Sequence, residues 1–199
     1  MHHPPHIRDG SWDDLNTLVD TLSDSFANDP ILNWVIPRVQ LYPAFFKLFI
    51  EEIYLPRGIV HTADDGRGAA LWLPPGQRVE VPPRMEMLNM VVKLLLAKGP
   101  VPLWRINRQG ALFAHHHPKE PHFYLQFIGC RQRNQGEGVG SSLLKHGTRI
   151  CDEQHMPAYL ESSNPLNVPL YERHGFEVTH KQAVGRNGPM AWFMWRDAR

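Results

Sequence analysis

The chain has 199 residues, 42% of them hydrophobic and 21% charged, with a formal net charge of +1 that leaves 12 histidines uncounted. That length and balance suit a single globular domain with a sizeable core, and charge alone gives no reason to expect a nucleic-acid or anionic-membrane partner. Two cysteines, Cys130 and Cys151, with no CxxC pair, speak against a disulfide framework or a cysteine zinc site and read as packing residues.

The opening "MHHPPHIRDG" lacks the apolar core of a signal peptide, so a cytoplasmic protein is expected. His6–Arg8 is a candidate first strand. Ser11 stands three residues before Asp14, a capping-box pattern that opens a helix with Leu15, Leu18, Val19, Leu22 and Phe26 on one face. "NDP" at 28–30 stops it. A less regular helical stretch carries Tyr42, Phe45, Phe46 and Phe49; Trp34, Tyr42, Phe45 and Phe46 are candidates for an acceptor wall or for the core. "GIVHTA", the turn "DDG" and "GAALWLP" predict a hairpin. Met85–Ala97 predicts a third helix, with Met85, Leu88, Val92 and Leu95 as its core face. Its "VVKLLLA" is too short to span a bilayer. The histidine run His115–His117 is read as strand or loop. With no carboxylate or cysteine at ligand spacing, no metal is expected there.

The second half is better punctuated. Pro121–Cys130 predicts a strand, Ser141–Gln154 a helix and "PAYLESS" a strand. "NVPLYERHG" predicts a short helix closed by Gly175, and "FEVTHK" and "MAWFMWR" two last strands. The order β-α-α-β-β-α-β-α-β-α-β-β places helices against a central mixed sheet, an α/β architecture.

Between the strand ending at Cys130 and the next helix lies "RNQGEGVGSSLL". Glycine lets consecutive N–H groups turn toward one anion, and the helix N-terminus adds unpaired N–H groups and a positive dipole end. A Walker loop fails, because no lysine follows Gly140. A dinucleotide fingerprint lacks its third glycine. Gln135-Gly136-Glu137-Gly138-Val139-Gly140 instead matches Q-x-x-G-x-G, and Asn164 and "LYERHGF" follow at suitable spacing.

On these motifs the chain resembles the GNAT acetyltransferases. "HPKEP", "QGEGVGS", "PAYLESS" and "NVPLYERHGFEV" make the likeness to the puromycin N-acetyltransferases dense from His117 to Val178. The resemblance implies one domain over 1–199 with a mostly antiparallel sheet of six to seven strands, splayed at the cofactor. Residues 117–178 are then the acetyl-CoA-binding core and the N-terminal part the acceptor side. It implies that Ile128, Gly129 and Cys130 pair through their main chain with the pantetheine arm. Gln135, Gly136, Glu137, Gly138, Val139, Gly140 and Ser141 then surround the pyrophosphate, with Arg133 as a charge partner. Asn164 and Asn167 bracket the short helix; one is expected to cap it and one to bind the cofactor. Tyr171 is the expected proton donor to the leaving thiolate. The carboxylate that some GNAT enzymes use as base falls at Tyr124, a departure that leaves His122 and Glu161 as candidates for a base or water relay.

The resulting expectation is acetyl transfer from acetyl-CoA to a primary amine of a small molecule by direct attack, in a monomer or homodimer, with no nucleic-acid or membrane partner. A protein or peptide amine, and a non-catalytic acyl-CoA sensor, stay open at this point.

Overall fold

The computed structural model describes residues 5–199. Seven strands form one sheet in the order β1-β2-β3-β4-β5-β7-β6. They are β1 (Ile7–Asp9), β2 (Ile59–Ala63), β3 (Gly68–Leu73), β4 (Phe123–Cys130), β5 (Ala158–Ser162), β6 (Glu177–Ala183) and β7 (Met190–Arg196). β4 and β5 run parallel; the other neighbours are antiparallel. This is the mixed, open sheet that the resemblance implies.

The N-terminal helices are α1 (Leu15–Ser25), α2 (Pro30–Val35) and α3 (Tyr42–Phe49). Ser11 and Asp14 make the expected reciprocal cap, on a 3-10 turn that leads into α1. Asp29 caps α2 by accepting from Leu32 N at 2.7 Å, with Pro30 next to it in the first turn. α3 continues through a π-helical turn, Ile50–Tyr54, into the short α4 (Leu55–Arg57). Tyr54, on that turn, is fully buried and donates its hydroxyl to Gln126 Oε1 of β4.

α5 (Met85–Lys98) is the predicted third helix, but its inner face is Met90 and Leu94. Met85, Leu88, Val92 and Leu95 are exposed, which corrects the expected core face. α6 (Val101–His116) has no counterpart in the sequence reading. The histidine run is therefore helical: His115 and His116 close α6 and His117 is its C-cap. Opposite lie α7 (Val139–Glu153), begun two residues earlier than expected, and α8 (Val168–Arg173).

Two apolar layers cover the two faces of the sheet. α1, α2, α3 and α5 pack over one face, around Leu22, Phe46, Leu71 and Phe127. α7 and α8 pack over the other, around Trp72, Leu143, Leu144 and Phe176. Each fully buried side chain of this size contributes about 1.5–3 kcal/mol. α7 comes so near β3 that a Cβ on Gly147 would stand 2.5 Å from Trp72 Cζ2. Among the described residues no helix is long and apolar enough to cross a membrane.

The sheet opens at its middle. β4 pairs with β5 only over Phe123–Leu125 and Ala158–Leu160. On the other side of β4, Phe127 pairs with Leu71 but Leu125 with Trp72, so Gln126 is the extra residue of a β-bulge. A bulge bends and twists its strand, and here it falls where β4 leaves β5. From Gln126 to Cys130 the edge of β4 facing β5 has no partner strand among the described residues.

Candidate active site

The opening between β4 and β5 leads into a groove of about 500 Å³, lined by Ile128, Gly129 and Cys130, the loop before α7, and Asn164, Asn167 and Tyr171. The exposed main-chain edge of β4 forms one wall. Cys130 is a packing residue: burial pushes its thiol up to about 11, so it stays protonated at neutral pH.

At the far end, Gly136 and Gly138 have φ of 81° and 82°, a conformation that residues with a Cβ rarely adopt. Nothing lies within 4 Å of a Cβ built on either, so the backbone rather than crowding calls for glycine. Gly138 is the N-cap of α7, and the first intrahelical bond runs from Ser142 N to Gly138 O. The N–H groups of Val139, Gly140 and Ser141 precede that bond and sit at the positive end of the helix dipole. Gln135, Gly136, Gly138, Val139, Gly140 and Ser141 all line the groove. Ser141 Oγ is 2.8 Å from His174 Nε2.

Two expected loop residues stand elsewhere. Glu137 turns away from the groove to Arg67, 3.2 Å from its guanidinium, and accepts from Asn134. Arg133 lies on an exposed 3-10 turn, Gln132–Asn134, and does not line the groove. Arg173, from the last turn of α8, does. The two asparagines divide their tasks. Asn164 accepts from Leu166 N at 3.0 Å and so caps its own turn. Asn167 lines the groove and makes no side-chain cap.

Tyr171 is buried against the groove. Burial, reinforced by the nearby Asp29 and Cys130, pushes its phenol well above the ordinary tyrosine value, so it keeps its proton.

A second cavity, about 360 Å³, lies on the other side of Phe26 and Asp29, which line both spaces. Glu161 and Tyr124 reach it from β5 and β4. The Glu161 side chain is only 4% exposed, and its Oε1 is buried with no hydrogen-bond partner. Around it stand phenols: burial together with the Glu161 charge raises Tyr54, Tyr124 and Tyr159. Tyr124 is therefore a neutral donor and cannot replace a basic carboxylate. His122 is buried, where its place at a strand start suggests exposure, and it lines neither cavity. It donates from Nδ1 to Glu120 O at 2.6 Å and packs on His117 and Tyr159; burial lowers its pKa.

Three contributors escaped the sequence reading. Asp29 ends the loop "ANDP" and joins both cavities; its Oδ2 accepts from Ser163 Oγ and burial raises its pKa. A capping Asp before Pro30 was the available signal. His117 ring-packs against Tyr124 and Tyr159 and faces Glu161. Arg173 follows Tyr171 by two residues. Of the aromatic acceptor candidates, Phe45 lines the second cavity, while Tyr42 and Phe46 are core. Trp34 lines neither cavity and lies under the Arg105 guanidinium, 4.8 Å from its ring centre. A separate cluster, Asp9, His61 and His146, brings its donor atoms within 4.8 Å of one another; it touches neither cavity.

Residues 104–176, which hold β4, the glycine loop, α7, β5 and α8, match the acetyltransferase (GNAT) family model. An uncharacterized N-acetyltransferase of Schizosaccharomyces pombe is 26% identical over 179 residues, 82% of this chain and 70% of that protein. Mycothiol acetyltransferase of Streptomyces coelicolor is 33% identical over 89 residues, 41% of this chain and 28% of that protein. The crystal structure of histone acetyltransferase HPA2 and related acetyltransferase from Corynebacterium glutamicum superposes with a TM-score of 0.72 at 26% identity, covering 99% of this chain and 98% of that one. With its split sheet, bulged β4 and glycine cradle, the chain is a GNAT-superfamily acetyltransferase, and GNAT acetyltransferases use acetyl-CoA as cosubstrate.

Proposed function

We propose that the chain transfers the acetyl group of acetyl-CoA to the primary amine of a small molecule by direct attack, as a single domain whose 117–178 core holds the donor and whose N-terminal helices hold the acceptor. The observation that carries this reading is the pair of spaces meeting at Phe26 and Asp29. One is walled by main chain and glycine; the other holds Glu161, a buried carboxylate whose Oε1 has no hydrogen-bond partner.

The residues present fit the donor. The unpaired edge of β4 from Gln126 to Cys130 offers main-chain groups to the amides of a pantetheine arm. The N–H groups from Gly136 to Ser141 suit a pyrophosphate. Asn167 and Arg173 add a polar contact and a charge. Bound acetyl-CoA supplies the activated acetyl group and a thiol leaving group.

The chain's own groups then handle protons. Glu161 Oε1 takes the proton that the acceptor ammonium must lose to become nucleophilic. Tyr171, held neutral by burial, keeps a proton at its hydroxyl for the departing sulfur. Phe26 and the β4 bulge keep the two spaces in line, which favours the reaction by orientation. The dense resemblance of 117–178 to puromycin N-acetyltransferases supports a small molecule as acceptor.

The test is thiol release from acetyl-CoA on adding primary amines, with calorimetric titration of acetyl-CoA in parallel. Binding with amine-dependent thiol release is expected. Binding without turnover of any amine would leave an acyl-CoA sensor as the better reading.

A further inference from the structure

We infer that the acceptor is a hydrophobic monoamine: one ammonium group on an alkyl or arylalkyl body that carries no other charge. This rests on the acetyltransferase reading above. It follows from the distribution of polarity in the second cavity.

Its charged lining groups among the described residues are Asp29 and Glu161, both carboxyl groups; no described lysine, arginine or histidine lines it. Both belong to the part shared with or next to the donor groove. Asp29 lines both spaces and bonds to Ser163, two residues beyond Glu161. The remaining polar lining groups are Gln109, Gln126, Ser163 and the Tyr124 phenol. Away from that corner the walls come from α2, α3, α5 and α6, with Leu32, Val35, Phe49, Met90, Leu94 and Leu103 facing the space.

An acceptor amine must reach the polar corner, because that corner adjoins the groove that would hold acetyl-CoA, with Phe26 and Asp29 lining both spaces. There Glu161 Oε1 is buried without a hydrogen bond, with the His117 ring 4.0 Å away, and an acceptor ammonium would supply that bond. The phenyl rings of Tyr124 and Tyr159 beside it favour a cation as well. The rest of the acceptor then runs along aliphatic, methionine and phenylalanine side chains. A second ammonium, a carboxylate, a phosphate or a sugar hydroxyl would lose its hydration there with Gln109 as the one polar side chain that the described residues of those four helices offer. The cavity, about 360 Å³, is at the small end of ligand sites, which suits a ring on a short chain or a medium alkyl chain.

The experiment is a rate series with the intact protein at fixed acetyl-CoA. The panel holds propylamine to octylamine, phenethylamine and tryptamine, with spermidine, glucosamine, glycinamide and a lysine-containing peptide as polar counterparts. The expected result is a rise in kcat/KM of about fourfold per methylene from propylamine to hexylamine, the factor that burying one CH₂ supplies. Arylalkylamines should exceed the polar amines by at least about 100-fold. Val91→Phe, which adds bulk to the cavity wall, should move the optimum to a shorter chain while acetyl-CoA binding is kept. A flat alkyl series, or preference for spermidine, glucosamine or the peptide, would overturn the inference and leave the acetyltransferase reading intact. Acetyl-CoA binding with no turnover of any hydrophobic amine overturns it too. Absence of acetyl-CoA binding strikes the underlying reading instead. Should Val91→Phe fail to fold, the wild-type series decides.

Discussion

His117 Nδ1 stands 4.0 Å from Glu161 Oε1, one ring 38% exposed and one carboxylate 4% exposed. The distance is too long for a hydrogen bond and short enough for one to form on a small movement. His117 ends α6 and Glu161 sits on β5, so two separate elements bring the buried carboxylate within reach of solvent. A base that takes a proton on each turnover must also release it, and the partly exposed His117 ring offers Glu161 a route to solvent. Glu161→Gln should lower kcat by about 10²-fold or more, the usual contribution of general-base catalysis, and leave acetyl-CoA affinity unchanged. His117→Gln should fall between the two and be partly rescued by added imidazole. Steady-state rates with calorimetric acetyl-CoA binding check this; a Glu161→Gln enzyme with wild-type kcat would remove Glu161 from the chemistry.

Tyr171 makes an opposite demand, to hold a proton rather than take one. Burial raises its phenol well above ordinary tyrosine, so it does not ionise anywhere near neutrality. Tyr171→Phe keeps the ring that packs on Phe176 and removes only the donor. kcat should drop by about 10²-fold, with acetyl-CoA affinity within about threefold of wild type. The wild-type kcat–pH profile should show no basic limb from Tyr171 up to about pH 10, the ordinary tyrosine value, since a raised folded value lies above it. Equal loss of acetyl-CoA affinity and kcat would mean that the tyrosine builds the groove instead.

The loop separates a backbone requirement from a steric one. At Gly138, φ is 82° and a Cβ would meet nothing within 4 Å. Valine there must either adopt a left-handed conformation, at about 1–2 kcal/mol, or rearrange the cap of α7. Gly138→Val should weaken acetyl-CoA binding at least about 30-fold and lower thermal stability modestly. Gly138→Asn, which tolerates this conformation, should retain more of both. At Gly140 a Cβ would touch Leu170 Cδ2 at 3.4 Å and Cys130 Sγ at 3.6 Å, ordinary contact, so Gly140→Ala should fold normally. Unchanged acetyl-CoA affinity in a folded Gly138→Val protein would rule out the cradle as the phosphate site.

The parts of the fold that could be read from the sequence are those where local chemistry and tertiary packing agree. The cap at Ser11–Asp14, the hairpin across Asp64–Gly66 and the strand–glycine–helix sequence around Gly138 all have local causes, and all appear near their expected limits. α5 and α6 do not have such causes. Their apolar residues lie on outer as well as inner sides, with Leu88, Val92, Leu95, Leu96, Trp104 and Ile106 exposed, so the stripe is too broad to mark one inward face. Periodicity therefore selected Leu88 and Leu95, which are exposed, over Met90 and Leu94, which are buried. Within the site, motif spacing could bracket Asn164 and Asn167 but could not tell which side chain a backbone N–H already occupies. Glu161 and His117 come together only through the packing of α6 on the sheet, a long-range relation that no local pattern records.

Far from both cavities, His61 is 1% exposed, and neither ring nitrogen has a hydrogen-bond partner. Asp9 Oδ1 is 3.7 Å from its Nε2, and the His146 ring packs edge-on with centroids 4.5 Å apart. Burial, then the nearby His146, lowers its pKa to about 4, with Asp9 pulling the other way and Arg149 adding to the lowering. An unfolded histidine binds its proton near pH 6.5. Between those two values the unfolded chain holds a proton that the folded chain refuses, so stability must fall as the pH drops from about 6.5 toward 4. A shift of that size corresponds to roughly 3 kcal/mol across the window. His61→Leu removes the titration and leaves no orphaned nitrogen, so it should be near-neutral or stabilising at pH 7 and should hold its stability better at pH 4.5. Urea unfolding of both proteins at pH 7, 5.5 and 4.5 measures the difference. His146→Gln serves as the control for the neighbouring histidine, whose own pKa is lowered by burial. If the stabilities of wild type and His61→Leu fall in parallel between pH 7 and 4.5, His61 is not the source of acid sensitivity, and the buried ring must be accepting its proton in the folded state at an ordinary cost.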